Sequence, residues 1–185
     1  TGPVMDKAWA VRAGLGWLGK HANVITRERG SWVFLGTMLT TAEFEYDAPI
    51  ADFCGSCTRC IDACPTAAIP EPYVVDANRC IPYLTIELKG DDIPGGEDMD
   101  FKSWIFGCDI CQDVCPWNSF AVPSEEAAFA PRPRALDTSI EEMSEMDADE
   151  FRERFRKSPV SRTKHSGLRR NARILLRQRE SHGSA

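Results

Sequence analysis

Cys54-Gly-Ser-Cys57-Thr-Arg-Cys60-Ile-Asp-Ala-Cys64-Pro65 sets three thiols at two-residue gaps and a fourth after a three-residue gap, directly before a proline. With this spacing three thiolates wrap one four-iron cube, and the fourth reaches a different one. A second, broken copy follows: Cys80, then Cys108-Asp-Ile-Cys111-Gln-Asp-Val-Cys115-Pro116. The chain has 8 cysteines, enough for two 4Fe-4S clusters with none left over. Under the interleaving rule cluster 1 takes Cys54, Cys57, Cys60 and Cys115, and cluster 2 takes Cys80, Cys108, Cys111 and Cys64. A chain so equipped moves single electrons.

Two other uses of the thiols stay open at this stage, a pair of structural zinc sites and a set of disulfides. Zinc needs only four ligands and has no use for the crossed Cys-x3-Cys-Pro signature. Disulfides suit distant partners better than thiols crowded within one turn. Reduced thiolates and clusters favour the cytosol, and no run of eighteen apolar residues suggests a membrane span. Nothing at the N-terminus resembles a signal peptide, and a start at Thr1 reads as a fragment of a longer protein.

The net charge of −6 conceals an asymmetry. Residues 151–185 carry eleven Lys and Arg against two Glu, while residues 1–150 carry a net −15. A basic tail on an acidic body points to an anionic partner, nucleic acid being the commonest.

The expected fold class is α+β. Pro3 opens a helix over 3–19, with Val4, Ala8, Val11 and Leu15 at helical spacing and Gly14, Gly16 and Gly19 ending it. Residues 31–41 are β-branched and aromatic enough for a strand, which a hairpin turn at 27–30 pairs with Val24–Thr26. Residues 42–53 form an acidic loop. Short helices follow at 58–64, 77–86 and 109–115, with Asp76 as an N-cap. Residues 89–99 read as a linker-like insertion, and the whole stretch Ile81 to Gly107 as a wall of a second site. A Pro-rich crossing covers 123–135, an acidic helix capped by Thr138 or Ser139 fills 139–157, and a last helix runs from Ser166 to Gln178. That helix is basic on one side, with Leu168, Ile174, Leu175 and Leu176 on the other.

Several longer stretches resemble epoxyqueuosine reductase. They are Arg12-Ala-Gly-Leu-Gly-Trp-Leu-Gly-Lys20-His21, Gly30-Ser-Trp-Val-Phe-Leu-Gly36, the run from Cys54 to Pro65, Arg79-Cys-Ile-Pro-Tyr-Leu-Thr-Ile86 and Gly107 to Asn118. Ser158-Pro-Val-Ser-Arg-Thr-Lys164 and Gly167-Leu-Arg-Arg-Asn-Ala172 extend the likeness to the tail. The resemblance implies a partial cobalamin-binding αβ domain over 1–51, a ferredoxin-like domain with two 4Fe-4S clusters over 52–122, and a helical, basic C-terminal segment over 123–185. It implies reduction of epoxyqueuosine at the wobble position of tRNA to queuosine, in a cytoplasmic, monomeric protein served by a separate electron donor. Cobalamin is the implied cofactor beside the clusters, with contacts at His21, Val24, Leu35, Pro82, Cys108 and Asp109. Pro82 departs from the serine common in the family. Lys89 matches a position implied to touch RNA. The implied catalytic acid is an Asp directly before Thr1, so no catalytic residue falls within the chain and the fragment alone is expected to be inactive.

Other readings of the same residues stand beside this one. A ferredoxin-like electron carrier would use the clusters alone, and a reductive-dehalogenase-like enzyme would turn the cobalt chemistry on a small molecule. His21 is expected to touch the corrin rather than ligate cobalt. Lys20 reads as a solvated charge or a helix C-terminal partner. Trp17, Trp32 and Trp104 read as core. Glu141, Glu142, Glu145 and Asp147 read as a solvated helix face. The basic tail, Arg169 and Arg170 included, is expected to hold RNA phosphates, the alternative being a terminal helix that neutralises the acidic body.

Overall fold

Short elements joined by glycine-rich and proline-rich loops make up most of the chain. The computed structural model describes residues 4–131 and 137–182. The chain forms two units, one of Thr1–Val75 with Asp109–Ser124, the other of Asp76–Cys108 with Glu125–Ala185. The segment 52–122, expected as one ferredoxin-like body, is thus shared between them.

In the first unit, helix α1 (Asp6–Arg12) packs on a two-stranded antiparallel sheet of β1 (Trp17–Leu18) and β2 (Val24–Ile25). Trp17 faces Ile25 and Leu18 faces Val24. The helix is shorter than its apolar spacing suggests. Only Ala10 of it is buried, while Leu15 beyond its end is 58% exposed. The proposed start at Pro3 lies outside the described residues, as do 132–135 of the Pro-rich crossing.

Residues 31–41 do not form a strand, and the partner of β2 is β1. Strand preference reflects side chains packing on a half-buried pleated face. Phe34, Met38 and Leu39 are instead 88%, 79% and 86% exposed, and Trp32, expected in the core, is 43% exposed. The hairpin turn does form, closed by paired backbone bonds between Thr26 and Gly30. Gly30 has φ +67° there, and a Cβ on it would stand 2.1 Å from the Asn118 side-chain oxygen. Only glycine satisfies both the turn and that close approach.

Two four-residue helices, α2 (Arg59–Asp62) and α3 (Ile110–Asp113), pack together in this unit. They are the cores of the helices expected at 58–64 and 109–115.

In the second unit, the expected helix at 77–86 is divided. Asp76 caps a 3-10 turn at Ala77–Arg79 by accepting from the Asn78 backbone N–H, and a π turn follows at Tyr83–Glu87. Pro82 between them has no N–H to continue a helical ladder. The 89–99 stretch is not a free linker. Ile93 is 2% exposed and joins Ile81, Leu84, Phe101, Ile174 and Leu175 in one core. The Gln178 side chain fixes the same stretch by donating to the carbonyls of Gly96 and Met99.

The acidic helix of 139–157 is two helices, α4 (Ile140–Glu145) and α5 (Ala148–Arg154). Ser139 and Glu142 form a reciprocal capping box on α4. Asp147 ends that run because its carboxylate accepts from the backbone N–H groups of Asp149 and Glu150, starting α5. Each such cap stabilises by about 1 kcal/mol. Helix α6 (Lys164–His182) is longer than expected and packs on α4 and α5. Leu168, Ile174 and Leu175 are buried as its pattern requires, Leu168 against Met146 and Phe151.

Candidate iron–sulfur centre

Loop chemistry gathers the four thiols assigned to cluster 1 within the first unit. The Asp52 carboxylate accepts from the Cys54 backbone N–H at 2.6 Å, which starts the loop. Gly55 then takes φ +52°, a left-handed turn that returns the Cys57 N–H to the Cys54 carbonyl at 3.1 Å. Helix α2 carries Cys60, and α3 ends just before Cys115. The result is a cavity of ≈ 230 Å³ lined by Cys54, Cys57, Cys60 and Cys115 with Lys20 and His21. Ile25, Phe53 and Trp117 supply apolar walls.

Aromatic rings shield this cavity. Trp17 meets Trp117 edge-on at 4.8 Å between ring centroids and Phe53 at 5.2 Å. The Arg27 guanidinium lies over the Phe53 ring, 4.2 Å from its centroid. A polar knot fixes Trp117 from behind. Asn118 accepts from the Ser31 backbone N–H at 2.6 Å and donates to the Gln112 carbonyl at 2.7 Å.

Lys20 is 9% exposed and is not a solvated charge. Its ammonium donates to the carbonyls of Gly55 and Cys57 at 2.6 and 2.9 Å. Its own carbonyl accepts from the Tyr73 backbone N–H, and the Tyr73 hydroxyl donates to Asp52. That bond, with burial and the carboxylate charge adding to it, pushes the Tyr73 hydroxyl up to about 12.

Burial in the cavity favours the protonated thiols, so a bound cation is needed to hold them as thiolates. Burial raises the Cys54 thiol, against the backbone N–H of Lys20 and the indole of Trp17, which favour the thiolate. Burial also raises the Cys60 thiol, and the charges of Cys115, Cys54 and Cys57 push it the same way. Four thiolates at close quarters call for iron or another cation to neutralise them. Cys54, Cys57, Cys60, Cys64 and Cys115 are free thiols. Among the described residues no three Cys, His, Asp or Glu side chains are placed around a single metal ion.

The thiols assigned to cluster 2 are divided between the units. In the first unit, Cys64 accepts a hydrogen bond on sulfur from the Ala68 backbone N–H at 3.2 Å, and Cys111 lies on α3. Cys80 and Cys108 belong to the second unit. Asp109 accepts from the Gln112 side chain at 3.2 Å, and burial raises its carboxyl.

The residues implied for cobalamin are likewise distributed. His21 is 4% exposed and lines the thiol cavity, and burial holds its imidazole below the ordinary value. Val24 is buried in β2, and Leu35 is half-buried on the 31–41 stretch. Pro82 and Cys108 are half-buried in the second unit.

The basic tail sorts into inward and outward arginines. Arg170 is 4% exposed, and its guanidinium donates to the carbonyls of Leu84, Leu88 and Gly90 and to the Asn171 side chain. Arg169 is half-buried and donates to the Ser144 carbonyl. With Asp91, His165, Ser166, Arg170, Arg173 and Arg177 it lines a cavity of ≈ 270 Å³, in which four arginines face one carboxylate. Lys89 is exposed and donates to the carbonyls of Ile86 and Arg162. Exposed pairs such as Arg162 with Glu87 and Arg179 with Glu141 show that part of the tail's charge is met within the unit.

Comparison with known proteins bears on this geometry. Residues 53–118 match a family described as a 4Fe-4S double cluster binding domain. The chain resembles epoxyqueuosine reductases. It is 50% identical over 175 residues to the epoxyqueuosine reductase of Cellulophaga algicola, a match covering 95% of this chain and 57% of that protein. It is 47% identical over 177 residues to that of Synechocystis sp., covering 95% of this chain and 61% of that protein. A crystal structure of epoxyqueuosine reductase with an epoxyqueuosine-modified tRNA stem loop superposes with a TM-score of 0.85 at 36% identity, covering 96% of this chain and 47% of that one. The structure of epoxyqueuosine reductase from Streptococcus thermophilus superposes with a TM-score of 0.81 at 35% identity, covering 96% of this chain and 46% of that one. The chain spans somewhat over half the length of the curated relatives it matches.

Proposed function

We propose that the chain is the cluster-bearing part of an enzyme that reduces epoxyqueuosine to queuosine in tRNA. The observation that carries this reading is the cavity lined by Cys54, Cys57, Cys60 and Cys115, in a chain about half identical to epoxyqueuosine reductases. These four thiolates hold cluster 1, and Cys64, Cys80, Cys108 and Cys111 hold cluster 2. The donor set fits: soft thiolates, apolar walls and backbone N–H groups aimed at sulfur are what a cube requires.

Cobalamin fits as a cofactor held by packing rather than by a protein ligand to cobalt. His21, buried in the thiol cavity, would be a contact rather than a ligand. The exposed side chains of Trp32, Phe34, Met38 and Leu39, with half-buried Leu35 among them, would offer a surface to a large ring. Bound clusters supply electrons one at a time, and cobalamin supplies the two-electron reductant that the epoxide needs. The residues of this chain hold the irons, exclude water with Trp17, Phe53 and Trp117, and anchor RNA. The anchor is one face of α6, where Arg169, Arg173 and Arg177 meet phosphates, with Lys89 as a further contact. Arg170, turned inward, positions the backbone beneath that face. The electron donor is a separate one-electron carrier.

Anaerobic reconstitution with iron and sulfide tests the reading. It predicts about eight irons per chain, two four-iron cubes by electron-spin resonance, co-elution of corrin absorbance, and binding of an epoxyqueuosine stem loop. Zinc in place of iron, or only one cube, overturns the cluster assignment. Two cubes with neither corrin retention nor RNA binding reduce the chain to an electron carrier.

A further inference from the structure

Buried polar groups in folded proteins nearly always have partners, and those that do not mark a ligand or a functional constraint. Among the described residues, two buried side-chain polar atoms have no hydrogen-bond partner: the Trp17 indole nitrogen and the His21 Nε2. The residues are 2% and 4% exposed, so bulk water does not compensate either. A buried donor left unmet forfeits the hydrogen bond it made to water in the unfolded chain, so each needs an acceptor from elsewhere.

Both groups belong to the surroundings of one set of thiols. His21 lines the cavity with Cys54, Cys57, Cys60 and Cys115. Trp17 packs in the cluster of side chains that contains Cys54 and Cys115, and its indole N–H favours the Cys54 thiolate. The tautomer of His21 follows from its other nitrogen. The Asn23 backbone N–H donates to Nδ1 at 3.2 Å, so Nδ1 carries a lone pair and Nε2 carries the hydrogen. Each orphan is therefore an N–H donor, and the cavity offers sulfur and no other acceptor that either has taken.

The chain already makes a bond of this kind at a different cysteine. The Ala68 backbone N–H donates to the Cys64 sulfur at 3.2 Å.

We infer that the Trp17 indole N–H and the His21 Nε2–H are hydrogen-bond donors to sulfur of cluster 1, and that they set its reduction potential. The inference rests on the assignment of cluster 1 to Cys54, Cys57, Cys60 and Cys115. Donors aimed at sulfur stabilise the reduced cluster, which carries one more negative charge, and so raise the potential. Sequence context gave neither residue this role: Trp17 read as core and His21 as a corrin contact.

Two measurements test it on the reconstituted protein. In a redox titration followed by electron-spin resonance, the wave lost in Cys60→Ala belongs to cluster 1. In Trp17→Phe and in His21→Leu that wave moves to lower potential, by about tenfold in the reduction equilibrium, or about 59 mV for a one-electron couple. The cluster 2 wave stays in place. Independently, unsubstituted protein labelled with ¹⁵N-tryptophan or ¹⁵N-histidine shows side-chain nitrogen coupling to reduced cluster 1 by pulsed electron-spin resonance, and this reading survives even where a variant fails to fold. Full iron content with unmoved potentials and no ¹⁵N coupling overturns the inference and leaves the cluster assignment standing. Absence of any cluster that depends on Cys60 overturns the assignment, and the inference falls with it.

Discussion

The Lys20 ammonium lies 2.6 Å from the Gly55 carbonyl oxygen, joining the end of the β-hairpin to the loop that presents three of the thiols. A cation placed there draws together the Gly55 and Cys57 carbonyls, one on each side of Ser56. It also brings positive charge to a cavity lined with sulfur.

Replacing Lys20 with Met removes the clamp while keeping the stem. Hydrogen bonds from a charged donor contribute about 1.5–3 kcal/mol, so iron loss from cluster 1 to an added chelator should accelerate by about tenfold or more. Absorbance of the iron–chelator complex follows this directly. An unchanged rate would show that the loop holds its shape unaided.

Cys115→Ser removes the single ligand of cluster 1 that comes from the α3 stretch. Iron content should drop from about eight to about four per chain, since the second cube keeps its full set. Metal analysis with cysteine-to-serine exchange at Cys64 as the counterpart checks the crossed assignment.

Arg170 and Arg169, adjacent in sequence, should behave differently. Arg170→Met leaves the Leu84, Leu88 and Gly90 carbonyls without their donor and should lower stability by about 2–4 kcal/mol, read as a drop in Tm. Arg169→Ala combined with Arg173→Ala should leave Tm within a few degrees. It should weaken binding of a stem-loop RNA and flatten its log–log salt dependence by about 0.7–0.9 for every phosphate that is no longer neutralised. An unaltered salt slope would remove α6 from the RNA surface.

Asp147 gives a pH dependence with a defined sign. The backbone N–H groups of Glu150 and Asp149 hold its carboxyl below the ordinary aspartate value. A depressed folded-state pKa contributes stability that is present above the unfolded value, about 3.9, and is lost as pH falls through the folded one. The Asp147 carboxyl ¹³C resonance should therefore titrate below about pH 3.9, and Asp147→Asn should remove that titration while keeping α5 capped.

The grouping of Cys54, Cys57 and Cys60 was legible because their spacing is local, and so were the caps at Asp76 and Ser139 and the apolar stripe of α6. What the residue string hid depends on distant partners. Lys20 looked solvated because its carbonyl acceptors lie 35 and 37 residues away. Ser31 and Asn118, 87 residues apart, looked like ordinary polar loop residues. Residues 31–41 have strand composition, but that preference expresses packing on a sheet face, and these side chains are largely exposed. Arg170 was grouped with the tail by charge, which says nothing about which way a helix turns. The break between α4 and α5 was concealed because Asp147 suits a solvated helix face and a cap equally well.

The first unit is discontinuous, Thr1–Val75 being completed by Asp109–Ser124. A ribosome releases the two stretches in order, with residues 76–108 emerging between them. Three thiols of the cavity and the Lys20 clamp are thus available before Cys115, Trp117 and Asn118 have been synthesised. Until then Trp17 and Phe53 lack the Trp117 ring, and Gly30 faces no asparagine. Closure of this unit waits for residues 109–124, and nascent chains stalled before residue 115 should remain open to proteases however well their hairpin has formed.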